Sequence, residues 1–167
     1  FSDNRGYNAP RDTANIESIE FLKGPSAALY GNSEPGGTIN INTKQPKFKP
    51  EYSIETSAGS YDFYRTSTDL TGPINESVAF RLNAAIQKDG NFRNYVESNR
   101  NVVAPSLIWS VNDNTFLTYN GEYIEQKAPL DRGIVAVNGD LKAIDSKTFF
   151  GNPNDGDMNL KNYTHQM

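Results

Sequence analysis

The sequence of 167 residues contains no cysteine, which excludes a disulfide framework and thiolate metal sites such as a zinc ribbon or an iron–sulfur cluster. It has one histidine, His165, around which no Ser–His–Asp set and no pair of metal-ligating imidazoles can be assembled. The formal net charge of −4 argues against a nucleic-acid binder, whose surface would be basic. No apolar run approaches the ~18 residues of a spanning helix, so a helical membrane protein is excluded. Since no catalytic set is marked, we expect no enzymatic activity.

The residues that are abundant favour strands and turns. The chain has 20 Asn, 13 Gly, 9 Tyr and 9 Phe, of which Asn and Gly favour turns while Tyr and Phe favour strands. From residue 51 onward, five segments alternate polar and apolar side chains at period two, which predicts strands. The segments are 52–59, 64–71, 78–87, 103–111 and 117–124. A further strand is predicted at Thr38–Thr43, and Tyr163–His165 begins another.

The length and charge of these segments bear on the architecture. They reach roughly 9–11 residues, the length that a tilted membrane strand needs, whereas soluble strands usually have ~5–6. Short connections at Tyr61-Asp62 and 112–114 alternate with long ones at 88–101 and from 127, as in membrane barrels. The polar faces carry charged side chains, namely Glu55, Arg65, Asp69, Arg81 and Glu122. The pattern fits both a soluble sandwich and a barrel, and strand length favours the barrel.

Three further features have simple structural interpretations. The glycine-rich stretch 31–38 has phosphate-loop spacing but lacks the lysine and leads into a strand, so it predicts a turn. Residues 152–157 resemble a calcium loop but lack the distal glutamate, so we expect a solvated loop and no metal site. Aromatic residues near strand ends fit either a girdle at a lipid interface or ordinary strand packing; they are Phe63, Tyr64, Phe92, Trp109, Phe116, Tyr119 and Tyr123.

The first 46 residues carry a motif that resembles a known family. Residues 16–31 have the sequence IESIEFLKGPSAALYG, and residues 34–46 have the sequence EPGGTININTKQP. Over about thirty positions, and with the same gap lengths, this resembles the end of the plug domain of TonB-dependent outer-membrane receptors, most closely the ferric-siderophore branch. The resemblance implies a mainly β fold, in which the C-terminal part of a plug is followed by about five antiparallel strands of a transmembrane barrel. The complete family member has 22 strands, so the chain is expected to be a fragment.

The resemblance also implies a division of the chain and roles for particular residues. The expected parts are the plug tail (1–46), a linker (47–50), the first barrel strands (51–126), and a long extracellular loop with the start of the next strand (127–167). Family positions that match Glu17 and Lys23 anchor the plug ionically to the barrel wall, through partners expected outside this chain. The loop preceding them reaches the extracellular apex of the plug, where we expect ligand contacts from Arg5, Tyr7 and Asn8. The motif turns need Gly24, Gly31, Gly36 and Gly37, because glycine permits tight backbone approaches.

The function implied by the resemblance is binding and transport. Such receptors bind a ferric siderophore outside the bacterial outer membrane and import it by TonB-coupled transport, with no resident cofactor and no metal bound directly by the protein. The expected partners are the TonB complex, through a segment missing from this chain, the ferric siderophore and outer-membrane lipid, and no nucleic acid. Another nutrient, such as haem, cobalamin or a glycan, is the alternative within the family. A soluble β-sandwich that serves in adhesion or carbohydrate binding is the alternative outside it.

Overall fold

A computed structural model describes residues 11–23, 37–112, 114–140 and 142–167. These residues form eight strands, and no helix among them is long and apolar enough to cross a membrane. The strands are β1 (Ile16–Lys23), β2 (Gly37–Thr43), β3 (Glu51–Gly59), β4 (Phe63–Pro73), β5 (Val78–Asp89), β6 (Ser98–Asn112), β7 (Thr115–Ala128) and β8 (Met158–Gln166). The expectation of a mainly β chain with antiparallel strands is confirmed.

The strands form two separate sheets. Strands β1 and β2 pair with each other, while β3 to β8 form a six-stranded antiparallel meander in chain order. We call the described residues 11–23 and 37–50 the tail, and the sheet from β3 to β8 the wall. In the tail, Ile19 pairs with Ile41 and Phe21 with Ile39 on one face. On the other face, Glu20 accepts hydrogen bonds from two asparagine amides of β2 at 2.9 and 3.0 Å. Apolar and polar cross-strand pairs therefore hold the two strands in register.

The connections of the wall fall at two rims. The connection 74–77 and the one between Asn112 and Thr115 lie at one rim, while 60–62, 90–97 and 129–157 lie at the other. The expectation that the short Tyr61-Asp62 turn lies at the same rim as the short connection 112–114 is wrong. Successive antiparallel strands reverse direction, so the first, third and fifth connections must share a rim whatever their lengths.

The last strand differs from its expected extent. Strand β8 begins at Met158, five residues before the predicted start at Tyr163, and gives the wall six strands. Met158 and Leu160 alternate with Asn159 and Lys161, but this run is short, is followed by the polar Asn162 and comes directly after the Gly-, Asn- and Asp-rich stretch 151–157, so it was not recognised as the start of a strand. Strand β7 likewise continues to Ala128, which shortens the long loop at its start.

The two faces of the wall have opposite character. The inward face, on which the tail lies, carries small and polar side chains around a small core of Ala85, Val102 and Ile124. The outward face carries large apolar side chains that remain exposed, including Ile86 (63%) and Trp109 (45%). This is inverted relative to a soluble protein, and it suits a wall whose outer face contacts lipid.

The aromatic residues divide between these faces. The register places Trp109, Tyr119 and Tyr123 on the outward face. Tyr119 donates or accepts a hydrogen bond with His165 at 2.8 Å on that same face. Phe116 pairs with Ser110 on the inward face, so it does not belong to an outward girdle. The outward aromatics fit the girdle interpretation better than the packing interpretation.

Candidate functional site

The first cluster of interactions between tail and wall is centred on Asp12. Its side chain is 2% exposed and receives two hydrogen bonds from the Arg65 guanidinium, at 2.6 and 3.0 Å. Arg100 lies 3.7 Å away, and the backbone amide of Ala14 donates to Asp12 Oδ1 at 2.9 Å. Burial alone would raise the pKa of Asp12, but the hydrogen bonds from Arg65 and Ala14 and the charges of both arginines hold the pKa below its ordinary 3.8. Asp12 is therefore an ionised, buried anchor that joins the tail to β4.

A second cluster lies where the tail leaves β2. Lys44 Nζ donates to Asp69 Oδ2 at 2.9 Å and to the carbonyl of Ala14 at 3.0 Å. Arg81 of β5 donates to both carboxylate oxygens of Asp69, at 2.7 and 2.8 Å, and to the carbonyl of Gln45 at 2.9 Å. The carboxylate of Asp69 thus joins one cation from the tail to one cation from the wall. Charge-assisted hydrogen bonds of this length are the strong class in proteins.

The two clusters place complementary charges on one strand. Arg65 and Asp69 are four residues apart on the inward face of β4, and they have opposite signs. The tail presents Asp12 before β1 and Lys44 after β2, also with opposite signs. A tail bound in the reverse orientation would place Asp12 beside Asp69 and Lys44 beside Arg65. Like charges at such distances cost free energy, so the charge pattern specifies how the β1–β2 pair lies on the wall.

Hydrogen bonds and packing outside the two ion-pair clusters complete the interface. Asn15 Nδ2 donates to Glu122 Oε2 of β7 at 2.8 Å. The amide of Asn83, which is 1% exposed, donates to the Ala14 carbonyl at 3.0 Å when its nitrogen faces its acceptor neighbours. The backbone amide of Lys47 donates to Thr71 Oγ1 at 2.9 Å. The side chain of Ala14 packs against the small core of the wall. The tail therefore contacts β4, β5, β6 and β7 in succession.

Most of the residues that the sequence predicts for the site lie outside the part of the chain that the structure describes. The ligand residues Arg5, Tyr7 and Asn8 and the motif glycines Gly24, Gly31 and Gly36 lie outside the described residues. Gly37 opens β2 with φ of +134°, and a Cβ there would lie 2.5 Å from the carbonyl oxygen of Leu22. This position requires glycine, because L side chains rarely adopt that conformation.

The predicted anchors Glu17 and Lys23 are both exposed on β1. Neither side chain forms an ion pair within 4 Å to another residue of the described ranges, although Glu17 interacts with Arg81 over a longer distance. Because their expected partners lie outside this chain, their anchoring role stays a prediction.

The observed anchors were only partly visible in the sequence. Arg65, Asp69, Arg81 and Glu122 were recognised as charges on polar strand faces, but they were not assigned to contact the tail. A useful signal would have been that these strand charges are complementary to charges that flank β1 and β2. Across the described ranges, no three His, Asp or Glu side chains come together in a way that could hold a metal ion.

Sequence comparisons relate the chain to known proteins. A family model for the TonB-dependent Receptor Plug Domain matches residues 1–38. The metal-pseudopaline receptor CntO of Pseudomonas aeruginosa is 41% identical over 99% of this chain, which covers 24% of that receptor. The chain therefore spans about a quarter of the length of this relative.

Solved structures have a similar fold. The open form of the ferric-catecholate import receptor Fiu of Escherichia coli is similar with a TM-score of 0.69 and 36% identity, over 74% of this chain and 19% of that one. The receptor FpvA of Pseudomonas aeruginosa, bound to a heterologous pyoverdine, has a TM-score of 0.77 and 27% identity, over 92% of this chain and 21% of that one. Together with the plug motif, these similarities show that the chain belongs to the siderophore-receptor branch of the TonB-dependent receptors. It comprises a plug tail and the adjoining barrel strands, and its location is the bacterial outer membrane.

Proposed function

We propose that the full-length protein binds a chelated metal ion outside the cell, with a ferric siderophore as the principal candidate, and imports it by TonB-coupled transport. The observation that carries this proposal is the 41% identity to a metal-pseudopaline receptor over nearly the whole chain. The similarity to a ferric-catecholate receptor and to a pyoverdine-bound receptor supports the same class of cargo. The mechanism is binding and transport, with no catalytic step and no resident cofactor, so the chelated metal is the cargo.

The anchoring of the tail at Asp12 supports a position at the plug apex for the ligand contacts. Asp12 is fixed to the wall, and the candidate ligand residues Arg5, Tyr7 and Asn8 precede it by only four to seven positions. A guanidinium, a phenol and an amide suit an anionic, aromatic or hydroxamate chelate through charge, stacking and hydrogen bonding. We propose these three side chains as contacts at the plug apex. We also propose that Glu17 and Lys23 pair with wall residues beyond this chain, and that Gly24, Gly31 and Gly36 form the turns between β1 and β2.

The proposal is tested by equilibrium binding to the purified full-length receptor. The panel comprises ferric hydroxamate, catecholate and pyoverdine-type chelates and a metal–pseudopaline complex, with haem, cobalamin and an oligosaccharide as the other nutrients. We expect one metal chelate to bind in the micromolar range or tighter. Binding of haem, cobalamin or the oligosaccharide alone would contradict the proposed cargo.

Two matched variants test the ligand contacts. R5Q should weaken binding at least tenfold, since a charge-assisted hydrogen bond to an anionic chelate is lost. K49Q removes one positive charge from the linker (47–50), near the rim opposite the long connections, and should leave binding of the chelate unchanged. Equal effects of both variants would refute the assignment of Arg5.

A further inference from the structure

The outward face of the wall changes character near the rim that carries the long connections. Register pairs Tyr64 with Lys88, Lys88 with Asn99, Asn99 with Lys127 and Lys127 with Asn159, so that these five residues form one lateral row. Residues directly opposite each other in a sheet share a face, and this row shares the outward face with the apolar side chains. Polar donors therefore line the upper edge of the surface that contacts lipid.

Three lysines dominate this edge. Lys88, Lys127 and Lys161 have side chains that are 48%, 51% and 47% exposed. Lys88 lies 3.2 Å from Glu97, while Lys127 and Lys161 share Glu125, each at 3.7 Å. Three cations facing two carboxylates leave a surplus of one positive charge. Charge-assisted hydrogen bonds are usually ~2.7–2.9 Å long, so these longer contacts leave ammonium donors free for another anion.

The lysines adjoin a groove that has apolar and polar parts. The groove has a volume of about 500 Å³ and is lined by the outward side chains Tyr64, Thr66, Ile86, Lys88, Asn99, Asn101 and Lys127. Beyond the groove, further from the rim, the next row of outward side chains contains Ala84, Val103 and Tyr123, which are apolar or aromatic. The groove therefore lies at the boundary between an apolar band and a cationic, amide-rich edge.

We propose that this rim patch, made of the three lysines and the groove, binds the phosphate-bearing headgroup of an anionic lipid in the outer leaflet. In membrane barrels the longer connections lie on the extracellular side, so the patch is level with outer-leaflet headgroups. Lysines and amides supply donors for phosphate oxygens, and Ile86 and Tyr64 supply apolar contacts for the start of an acyl chain. Basic side chains near an anionic membrane surface each contribute attraction to such lipids. The proposal is independent of the cargo that the receptor carries.

The test counts lipids bound to the purified full-length receptor by native mass spectrometry. The probe is dioleoyl phosphatidic acid, and dioleoyl phosphatidylcholine serves as the zwitterionic counterpart with the same acyl chains. The triple variant K88Q/K127Q/K161Q should bind phosphatidic acid about tenfold more weakly, since each lysine at an anionic surface is worth up to roughly fivefold. Its affinity for phosphatidylcholine should not change. K47Q is the matched control, because Lys47 is 49% exposed and pairs with Glu51 near the opposite rim.

A second variant tests the proposal in the opposite direction. E97Q/E125Q removes both carboxylates that compete for the lysines, so binding of phosphatidic acid should tighten. Circular dichroism spectra of both variants are compared with the spectrum of the wild type, and a match establishes that the barrel is folded. The proposal is overturned if the triple lysine variant binds phosphatidic acid as well as the wild type does, if K47Q loses as much, or if E97Q/E125Q binds less.

Discussion

Replacing Asp12 by asparagine tests whether the buried ion pair with Arg65 holds the tail on the wall. In the full-length receptor, D12N leaves the Arg65 guanidinium, which is 16% exposed, without its carboxylate partner. Breaking a buried pair on one side typically costs ~3–5 kcal/mol, because the remaining charge stays buried without compensation. Arg65 retains a hydrogen bond to Gln87 Oε1 at 2.6 Å, which places the cost at the lower end, about 3 kcal/mol.

The assay measures local opening of the tail rather than global unfolding. Ala14 is partly buried and packs on the core of the wall, so a thiol introduced by A14C should be labelled more slowly while the tail is bound than when it opens. A loss of about 3 kcal/mol should accelerate labelling roughly 150-fold in D12N relative to the A14C parent. R65Q should act similarly. The double variant D12N/R65Q should cost less than the sum of the two single variants, because neither partner then leaves an unpaired buried charge.

The matched control for this experiment is an exposed ion pair. E51Q breaks the Lys47–Glu51 pair, whose side chains are 49% and 45% exposed. Such pairs contribute ~0–1 kcal/mol, so labelling should rise less than about fivefold. If D12N accelerates labelling no more than E51Q does, the buried pair does not anchor the tail.

Three further changes follow from the same geometry. G37A should destabilise the β1–β2 pair by ~1–3 kcal/mol, because the new Cβ meets the Leu22 carbonyl at a strained φ; faster hydrogen exchange across 37–43 would show this. N83D should speed labelling of the A14C thiol at least tenfold, because a carboxylate would face the Ala14 carbonyl in place of a donor. Asp12, with its lowered pKa, contributes stability that is full above its unfolded value of 3.8 and lost as the pH falls through the lower folded-state pKa. Intrinsic-rate-corrected hydrogen exchange of 11–23 should therefore stay constant from pH 7 to pH 5 and rise below 3.8; a rise near pH 6 would contradict this.

Much of the wall followed from the sequence because period-two alternation is a local property. The alternation over 78–87, for instance, matches the inward and outward faces of β5, with Ala79, Arg81 and Asn83 buried against the tail side. The alternation does not determine which face points inward, since a sandwich and a barrel share the same pattern. The plug motif resolved that question through resemblance, not through periodicity.

The anchoring clusters did not follow from the sequence, because they join distant residues. Asp12 and Arg65 are 53 positions apart, and Lys44 and Asp69 are 25 apart. No local pattern fixes such pairs, since their contact depends on how the β1–β2 pair is placed on the wall. The family motif instead predicts Glu17 and Lys23 as the anchors.

The most direct test of the account is metal uptake in cells that lack their own receptors. The full-length gene is expressed in an iron-starved, receptor-deficient outer membrane, and uptake of radioactive metal is measured with each chelate of the panel, with and without functional TonB. The expected result is that one metal chelate is taken up, that its uptake requires TonB, and that D12N alters the rate of uptake while the barrel remains folded. A folded barrel in the membrane with no TonB-dependent uptake of any metal chelate would contradict it.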